Sequence, residues 1–475
     1  MSVLSRLTGR YTSRVLGTKN GLRKGAFLAS TSLVLSYALW DHRVVSCESV
    51  KGIKQFSSKP GEREPESGSS TISLLSDQQV TQRLRQLDQS YYVQRGRGVV
   101  RYDTAQLPSN SPIEDTHVEQ VITVPGKQPG SDEDLYFFGI FDGHSGPYTS
   151  TKLAQVLVPY VAHQLGQVYG GLGSHSASSD AVDTAITSAF TALDRDLVLG
   201  SLHKLFTDPT KNNLVNALPA ISGSCALLTM FDSANSVLKC AVTGDSRALV
   251  GFQDSESKWS IKAVSVDQTG DNPEEVARIR QEHPGEPGAV RNGRVLGSLQ
   301  PSRAFGDYRY KVKELGGKTV RDLPDHLKVY FRREPRDFKT PPYVTAEPVI
   351  TTTQVSDNAK FMVLASDGLF ELLENEEIKD LVVDWMNKEK GLKAKQPKSL
   401  LEDKNAATHL IRNALSAGGQ RDYVSTLVSI PSPMSRKYRD DLTVTVVFFG
   451  QAEPGEITGQ LELNYEATAP LKPKL

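Results

Sequence analysis

Nothing in this chain constrains its fold more than Leu135 to Gly146, LYFFGIFDGHSG. Leu135 to Phe141 are all apolar or small, which predicts a strand buried on both faces, and they run directly into Asp142-Gly143-His144. An acid is thereby held at a rigid strand end. Gly143 leaves room for a ligand to approach the main chain, and His144 can give or take a proton near neutral pH. Such a constellation suits a cation-activated water with a proton donor beside it. Alone, an Asp-Gly after a strand is more often a plain turn.

Recurrence changes that reading. Val237 to Val242 ends in Thr243-Gly244-Asp245, and Phe361 to Ala365 ends in Ser366-Asp367-Gly368. A further pair, Asp440-Asp441, stands immediately before the strand-like run Leu442 to Phe449. If these strands lie antiparallel in packed sheets, Asp142, Asp245, Asp367 and Asp440 collect along one edge. Ligands that are all oxygen favour Mg2+ or Mn2+ over zinc.

A chain of 475 residues has room for about three average domains, although one large sandwich can take much more than the average share. Its 55 basic residues balance 55 acidic ones, which excludes a nucleic-acid-binding surface over the whole protein. Cys47, Cys225 and Cys240 lack CxxC spacing, so neither a disulfide framework nor a zinc site is indicated, as suits a reducing compartment.

Charge is unevenly placed. Arg6, Arg10, Arg14, Lys19, Arg23 and Lys24 meet no acid before Asp41, so residues 1–24 read as a mitochondrial presequence. The apolar run Gly25 to Trp40 follows, short against the usual span of about 20 residues, and reads as a membrane anchor or sorting segment. Together they resemble a bipartite signal that halts in the inner membrane and leaves the rest in the intermembrane space; import to the matrix stays open. Residues 41–88 read as a linker, with a short helix over Asp77 to Leu87 leading into the folded part. The tail 451–475 ends in Pro473-Lys474-Leu475, close to the Ser-Lys-Leu peroxisomal address, and implies a minor peroxisomal pool.

Between these ends, Tyr91 to Tyr102 is strand-like and leads into a polar loop ending at Glu114-Asp115. Helical spacing of apolar residues marks Tyr148 to Leu165, and a second helix begins near Ser179. Ser224 to Phe231 and Val237 to Val242 flank a hairpin turn. Arg303 and Asp307 either ion-pair or meet substrate, the structural pair being preferred. Lys313 to Lys339 reads as a charged, irregular insertion at the rim of a cleft, and Asn405 to Leu415 as a helix.

With these residues in hand, the sequence resembles the metal-dependent type 2C protein phosphatases. Seven blocks occur in that family's order: Glu114-Asp115, FDGHSG at Phe141, SGSCA at Ser222, TGDSR at Thr243, PSRAFGD at Pro301, ASDGLFE at Ala365 and RDDLTV at Arg439. The resemblance implies a catalytic domain over residues 89–450. It implies an α+β fold, a four-layer αββα sandwich of two antiparallel sheets flanked by helices. It also implies two Mg2+ or Mn2+ ions bridged by Asp142, with Glu114 and the Gly143 carbonyl on one and Asp367 and Asp440 on the other. Asp115 would orient metal-bound water, and Asp245 with Asp367 would hold a weaker third ion. Phosphoserine and phosphothreonine would be hydrolysed by direct attack of a metal-bound hydroxide, with His144 protonating the leaving oxygen.

Within the family the likeness is strongest to the mitochondrial pyruvate dehydrogenase phosphatases. It is carried by SNSPIED at Ser109, TPPYVTAEP at Thr340 and NAATHLIRNAL at Asn405, and it implies the E1 alpha subunit as substrate. Type 2C enzymes generally carry a phosphate-binding arginine four residues before the Glu of the Glu-Asp pair. Here that position is Asn110, an amide without the charged fork, which implies weaker phosphate capture. Phe370-Glu371 likewise replaces the usual Trp-Asp. A different class of function is a catalytically inactive scaffold of the same fold that binds phosphoproteins.

Overall fold

The computed structural model describes residues 44–45, 72–124, 133–169, 177–392, 399–451 and 457–470. The expected presequence 1–24, the apolar segment 25–40 and the tripeptide Pro473-Lys474-Leu475 lie outside the described residues. Among the described residues no helix is long and apolar enough to cross a membrane.

Twelve strands build the two main sheets: β1 (Gln89–Gln94), β2 (Arg97–Leu107), β3 (Thr116–Val124), β4 (Glu133–Phe141), β5 (Ala226–Asp232), β6 (Val237–Thr243), β7 (Arg247–Gln253), β8 (Trp259–Ala263), β9 (Val349–Gln354), β10 (Ala359–Ala365), β11 (Leu442–Gln451) and β12 (Gln460–Leu463). One sheet has the order β9-β6-β5-β4-β3, the other β8-β7-β10-β11-β2-β1-β12. Every pairing in them is antiparallel.

The side-chain period of two explains the layering. On β4, Tyr136, Phe138 and Ile140 enter the core between the sheets, while Leu135, Phe137 and Phe141 pack against the helices α2 (Tyr148–Tyr169) and α3 (Ser179–Arg195). On β11, Val447 and Phe449 join the same inter-sheet core, and Leu442, Val444, Val446 and Phe448 face the opposite helical layer. That layer comprises α6 (Asn375–Glu389), α7 (Ala406–Ala414) and α8 (Arg421–Ser429). The result is the four-layer αββα sandwich in an α+β fold. Strands buried on both faces hold few polar residues, which is why β4 reads as an apolar or small run from Leu135 to Phe141 and β11 admits only Thr443 and Thr445 among its hydrophobic residues from Leu442 to Phe449.

Several boundaries differ from the expectation. Tyr91 to Tyr102 is not one strand: the chain turns at Arg95-Gly96, with Gly96 at φ 113°, and β1 pairs back on β2. Glycine at that φ avoids the strain a side chain would bring. The short helix expected over Asp77 to Leu87 does form, as α1 (Asp77–Leu84) with a further tight turn over Arg85–Leu87; it is capped by Ser76 and Gln79, and its Val80 and Leu84 enter the core. Within the expected tail 451–475, β12 hydrogen-bonds to β1, so the folded unit begins ahead of residue 89 and runs past 450. Lys313 to Lys339 is irregular and charged as read, yet Leu323 and Leu327 bury against the helix α4 (Lys211–Ile221), giving it a packed base.

Helix α5 (Pro273–Glu282), capped by Asn272 with Pro273 in its first turn, carries the buried Glu275. Burial alone would raise this carboxyl, but hydrogen bonds from Arg303, Arg278 and Ser302 outweigh it and hold the pKa down at about 2. A carboxylate depressed on folding adds stability above its unfolded pKa and loses it as pH falls toward the folded value. Glu275→Gln should therefore cost about 2 to 3 kcal/mol at pH 7. The gap to wild type should narrow as pH falls below about 4.5, measured by urea unfolding at a series of pH values. A gap independent of pH would remove the ionic account.

Candidate active site

The register of the sheets brings the acids to one edge. Thr116 pairs with Phe141, so Asp115 before β3 lies across from Asp142 after β4. Ala365 pairs with Val444, so Asp367 after β10 lies beside Asp440 and Asp441 ahead of β11. Gly244, at φ 114°, turns the chain after β6 and aims Asp245 inward; its N–H donates to Gln268 Oε1 at 2.8 Å.

Asp142, Asp245 and Asp367 each offer an oxygen, and the three oxygens lie within 4.8 Å of one another. Burial pushes the carboxyls of Asp142 and Asp367 well above the usual range, and the charges of neighbouring acids add to the effect. Asp245, Asp115 and Glu114 rise for the same first reason. Carboxylates packed this closely cannot all ionise without a compensating cation. Oδ1 of Asp367 is buried with no hydrogen-bond partner. An orphaned acceptor in an all-oxygen donor set fits a hard divalent cation. Gly143 adds to that fit, because a Cβ there would collide with Glu114 O and Ser150 Oγ and close the cradle.

The other expected residues take defined places. Asp115 Oδ2 accepts from Thr443 Oγ1 at 2.8 Å. Glu114 is outside the converging triad: its Oε1 accepts from Gly146 N–H at 2.5 Å and its Oε2 from Asn110 Nδ2 at 3.0 Å. Asp440 Oδ1 accepts from the Asp441 N–H at 2.6 Å and is ion-paired with Arg436. Asp441 itself is a scaffold, since its carboxylate accepts from the N–H groups of Ser109, Asn110 and Glu114 at 2.6, 3.2 and 2.9 Å.

His144 is placed by a small ribbon. Gly143–His144 pairs with Gly223–Ser224, which pairs with Phe305–Gly306, and Asp307 follows in a left-handed conformation at φ 51°. This sets His144 Nε2 at 2.6 Å from Asp307 Oδ2. Gly223 lies between them, where a Cβ would strike both side chains. Burial opposes a charged imidazole, but the charge of Asp307 and its hydrogen bond outweigh that, so the His144 pKa lies above the ordinary value.

The preferred pair of Arg303 with Asp307 does not form. Arg303 Nη2 donates to Glu275 at 2.8 Å and its Nη1 to Glu347 O at 2.8 Å, so Arg303 is structural and Asp307 belongs to the site.

Residues 109–422 match the family model described as protein phosphatase 2C. The chain belongs to that family. It is 51% identical, over 94% of its length and 89% of the relative's, to pyruvate dehydrogenase [acetyl-transferring]-phosphatase 1, mitochondrial, of Saccharomyces cerevisiae. A protein phosphatase 2C homolog of Schizosaccharomyces pombe is 40% identical over 78% of this chain and 85% of its own. The Bos taurus pyruvate dehydrogenase [acetyl-transferring]-phosphatase 1, mitochondrial, is 30% identical over 76% and 80%. This is a type 2C protein phosphatase, of a metal-dependent family, and its substrates are phosphoproteins. Nothing among these relatives supports an inactive scaffold.

For a type 2C phosphatase, two residues of the site are not given their place by the sequence: Asp307 reads chiefly as a partner of Arg303, and Cys225 is not singled out for the site. Asp307 sits in the PSRAFGD block, and its signal was that block rather than any periodicity. Cys225, in SGSCA, donates its thiol to Asp245 Oδ1 at 3.1 Å while its N–H donates to Asp142 O at 2.8 Å.

Proposed function

We propose that this phosphatase removes phosphate from phosphoserine on the E1 alpha subunit of pyruvate dehydrogenase in mitochondria. In this reading two Mg2+ or Mn2+ ions would be held by Asp142 as a shared ligand, with Glu114, the Gly143 carbonyl, Asp367 and Asp440. A weaker third falls to Asp245 and Asp367. The observation that carries the reading is the convergence of Asp142, Asp245 and Asp367, whose oxygens lie within 4.8 Å. When bound, the ions supply neutralisation of the phosphoryl oxygens and a lowered pKa for water.

The chain's own residues do the rest. Asp115, fixed by Thr443, accepts a hydrogen bond from the attacking water and turns its lone pair toward phosphorus. His144, held in orientation by Asp307, gives its proton to the serine oxygen as the P–O bond breaks, so that an alcohol leaves instead of an alkoxide. Asn110, with its amide turned to Glu114, offers the phosphate a neutral donor at best. Residues 1–24 serve as the presequence and 25–40 as the sorting or anchoring segment, which leaves the submitochondrial side to experiment.

The names of the yeast and bovine relatives support the choice of substrate. Purified protein should release phosphate from phosphorylated pyruvate dehydrogenase in Mn2+ or Mg2+ and stop in EDTA. Cells lacking the gene should accumulate phosphorylated E1 alpha. Unchanged E1 phosphorylation would sink the substrate and leave the enzyme class standing. Protease treatment of mitoplasts decides the side: protection that is lost on matrix lysis places the protein in the matrix, and digestion without lysis places it in the intermembrane space.

A further inference from the structure

A phosphate dianion brought to a cluster of carboxylates needs a cationic donor as well as metal ions. Among the described residues, Glu114, Asp115, Asp142, Asp245 and Asp367 form no ion pair with Arg or Lys, and Asp440 pairs with Arg436. Arg439, next in sequence to Asp440, is unavailable, since it is buried and its Nη groups donate to Leu107 O and Pro108 O at 3.2 and 2.7 Å. Asn110 is committed to Glu114.

Arg436 has a fixed base and a half-exposed head. It sits on the one-turn segment Met434–Lys437, where Ser435 Oγ donates to Ser109 O at 2.6 Å. That bond ties the turn to the loop carrying Asn110 and Glu114, and Asp441 gathers the N–H groups of the same loop. The Arg436 side chain is nevertheless 44% exposed, which leaves its guanidinium an open side toward which it can turn from Asp440.

We propose that Arg436 is a substrate-phosphate ligand that alternates between two partners. Without cations it neutralises Asp440; when cations claim Asp440, the guanidinium is released and takes the phosphoryl oxygens with two parallel N–H donors. The inference rests on the two-cation reading above, in which Asp440 is a ligand. It gives the enzyme a planar, charged phosphate clamp on the same loop assembly as Asn110.

The two partners make opposite demands, and that makes the idea testable. Arg436→Gln should raise KM for a phosphopeptide roughly 10- to 100-fold and weaken inhibition by inorganic phosphate to a similar degree, with kcat changed little. Arg436→Lys should recover part of this, having the charge but not the fork. In calorimetry without substrate, Arg436→Gln should bind Mn2+ several-fold more tightly, because a competitor for Asp440 is gone. A merely structural arginine would weaken Mn2+ binding or lower kcat instead, and either result overturns the proposal. So does an unchanged KM with unchanged phosphate inhibition. Failure of the two-cation reading looks different: wild type itself would bind no Mn2+, or Asp440→Asn would bind it as wild type does.

Discussion

Asp142→Asn should reduce turnover to a few per cent of wild type or less, on phosphopeptide and aryl phosphate alike. In the proposed site this one side chain holds two cations, so its loss should hurt more than that of any peripheral ligand. Asparagine keeps the size, and the main-chain carbonyl still accepts from Cys225 N–H, so the end of β4 should stay where it is. What disappears is a charge in a site where burial already works against ionised carboxylates. The cation-free variant should thus fold at least as well as wild type, since one member of a mutually repelling set is gone. Wild type should gain thermal stability with rising Mn2+ by mass action, and the variant should gain little. Thermal scans with and without Mn2+, read beside the activity, separate lost chemistry from a lost fold. Retention of more than a few per cent of activity, or an equal Mn2+ stabilisation, would show that Asp142 is not the bridge.

How much of this was legible in the sequence depended on how far each residue's partner lay along the chain. The acids were readable because strands buried on both faces are mostly apolar, so an Asp directly after such a run, as after Phe141, or one residue further on, as after Thr243-Gly244 and Ala365-Ser366, stands out. The link between His144 and Asp307 was not readable from pattern. It crosses 163 residues through three two-residue strands, too short to show any period. Arg303 was read toward the near acid because four residues is a plausible ion-pair spacing. Its real partner, Glu275, sits on α5, a helix with few apolar residues whose only fully hidden hydrophobe is Ile279. Likewise α6 carries Ile378, Val382 and Trp385 at helical spacing, a signal that its charged ends dilute. The β1–β2 turn was missed because Arg95-Gly96 interrupts alternation for only two residues, and a single glycine marks it.

His144→Gln should slow phosphoserine hydrolysis by roughly 10² to 10⁴, the usual worth of a positioned general acid, while Mn2+ binding by calorimetry stays as in wild type. The size of the effect should depend on the leaving group. A serine alkoxide is a poor leaving group and needs the proton as the P–O bond breaks; an aryl oxide leaves with little help, so an aryl phosphate should be slowed far less. Glutamine keeps a polar side chain against Asp307 but has no transferable proton, so the ribbon of Gly143–His144, Gly223–Ser224 and Phe305–Gly306 should persist. Asp307→Asn supplies the complementary test of positioning. It leaves the imidazole in place but removes the charge that faces Nε2 at 2.6 Å and holds the His144 pKa up. Its loss on phosphopeptide should fall between that of His144→Gln and none, and should again be smaller on the aryl phosphate. The double variant should be little worse than His144→Gln alone, because Asp307 acts through the imidazole. Equal slowing of both substrates by His144→Gln would remove the acid assignment. Additive losses in the double variant would show that Asp307 acts independently of His144.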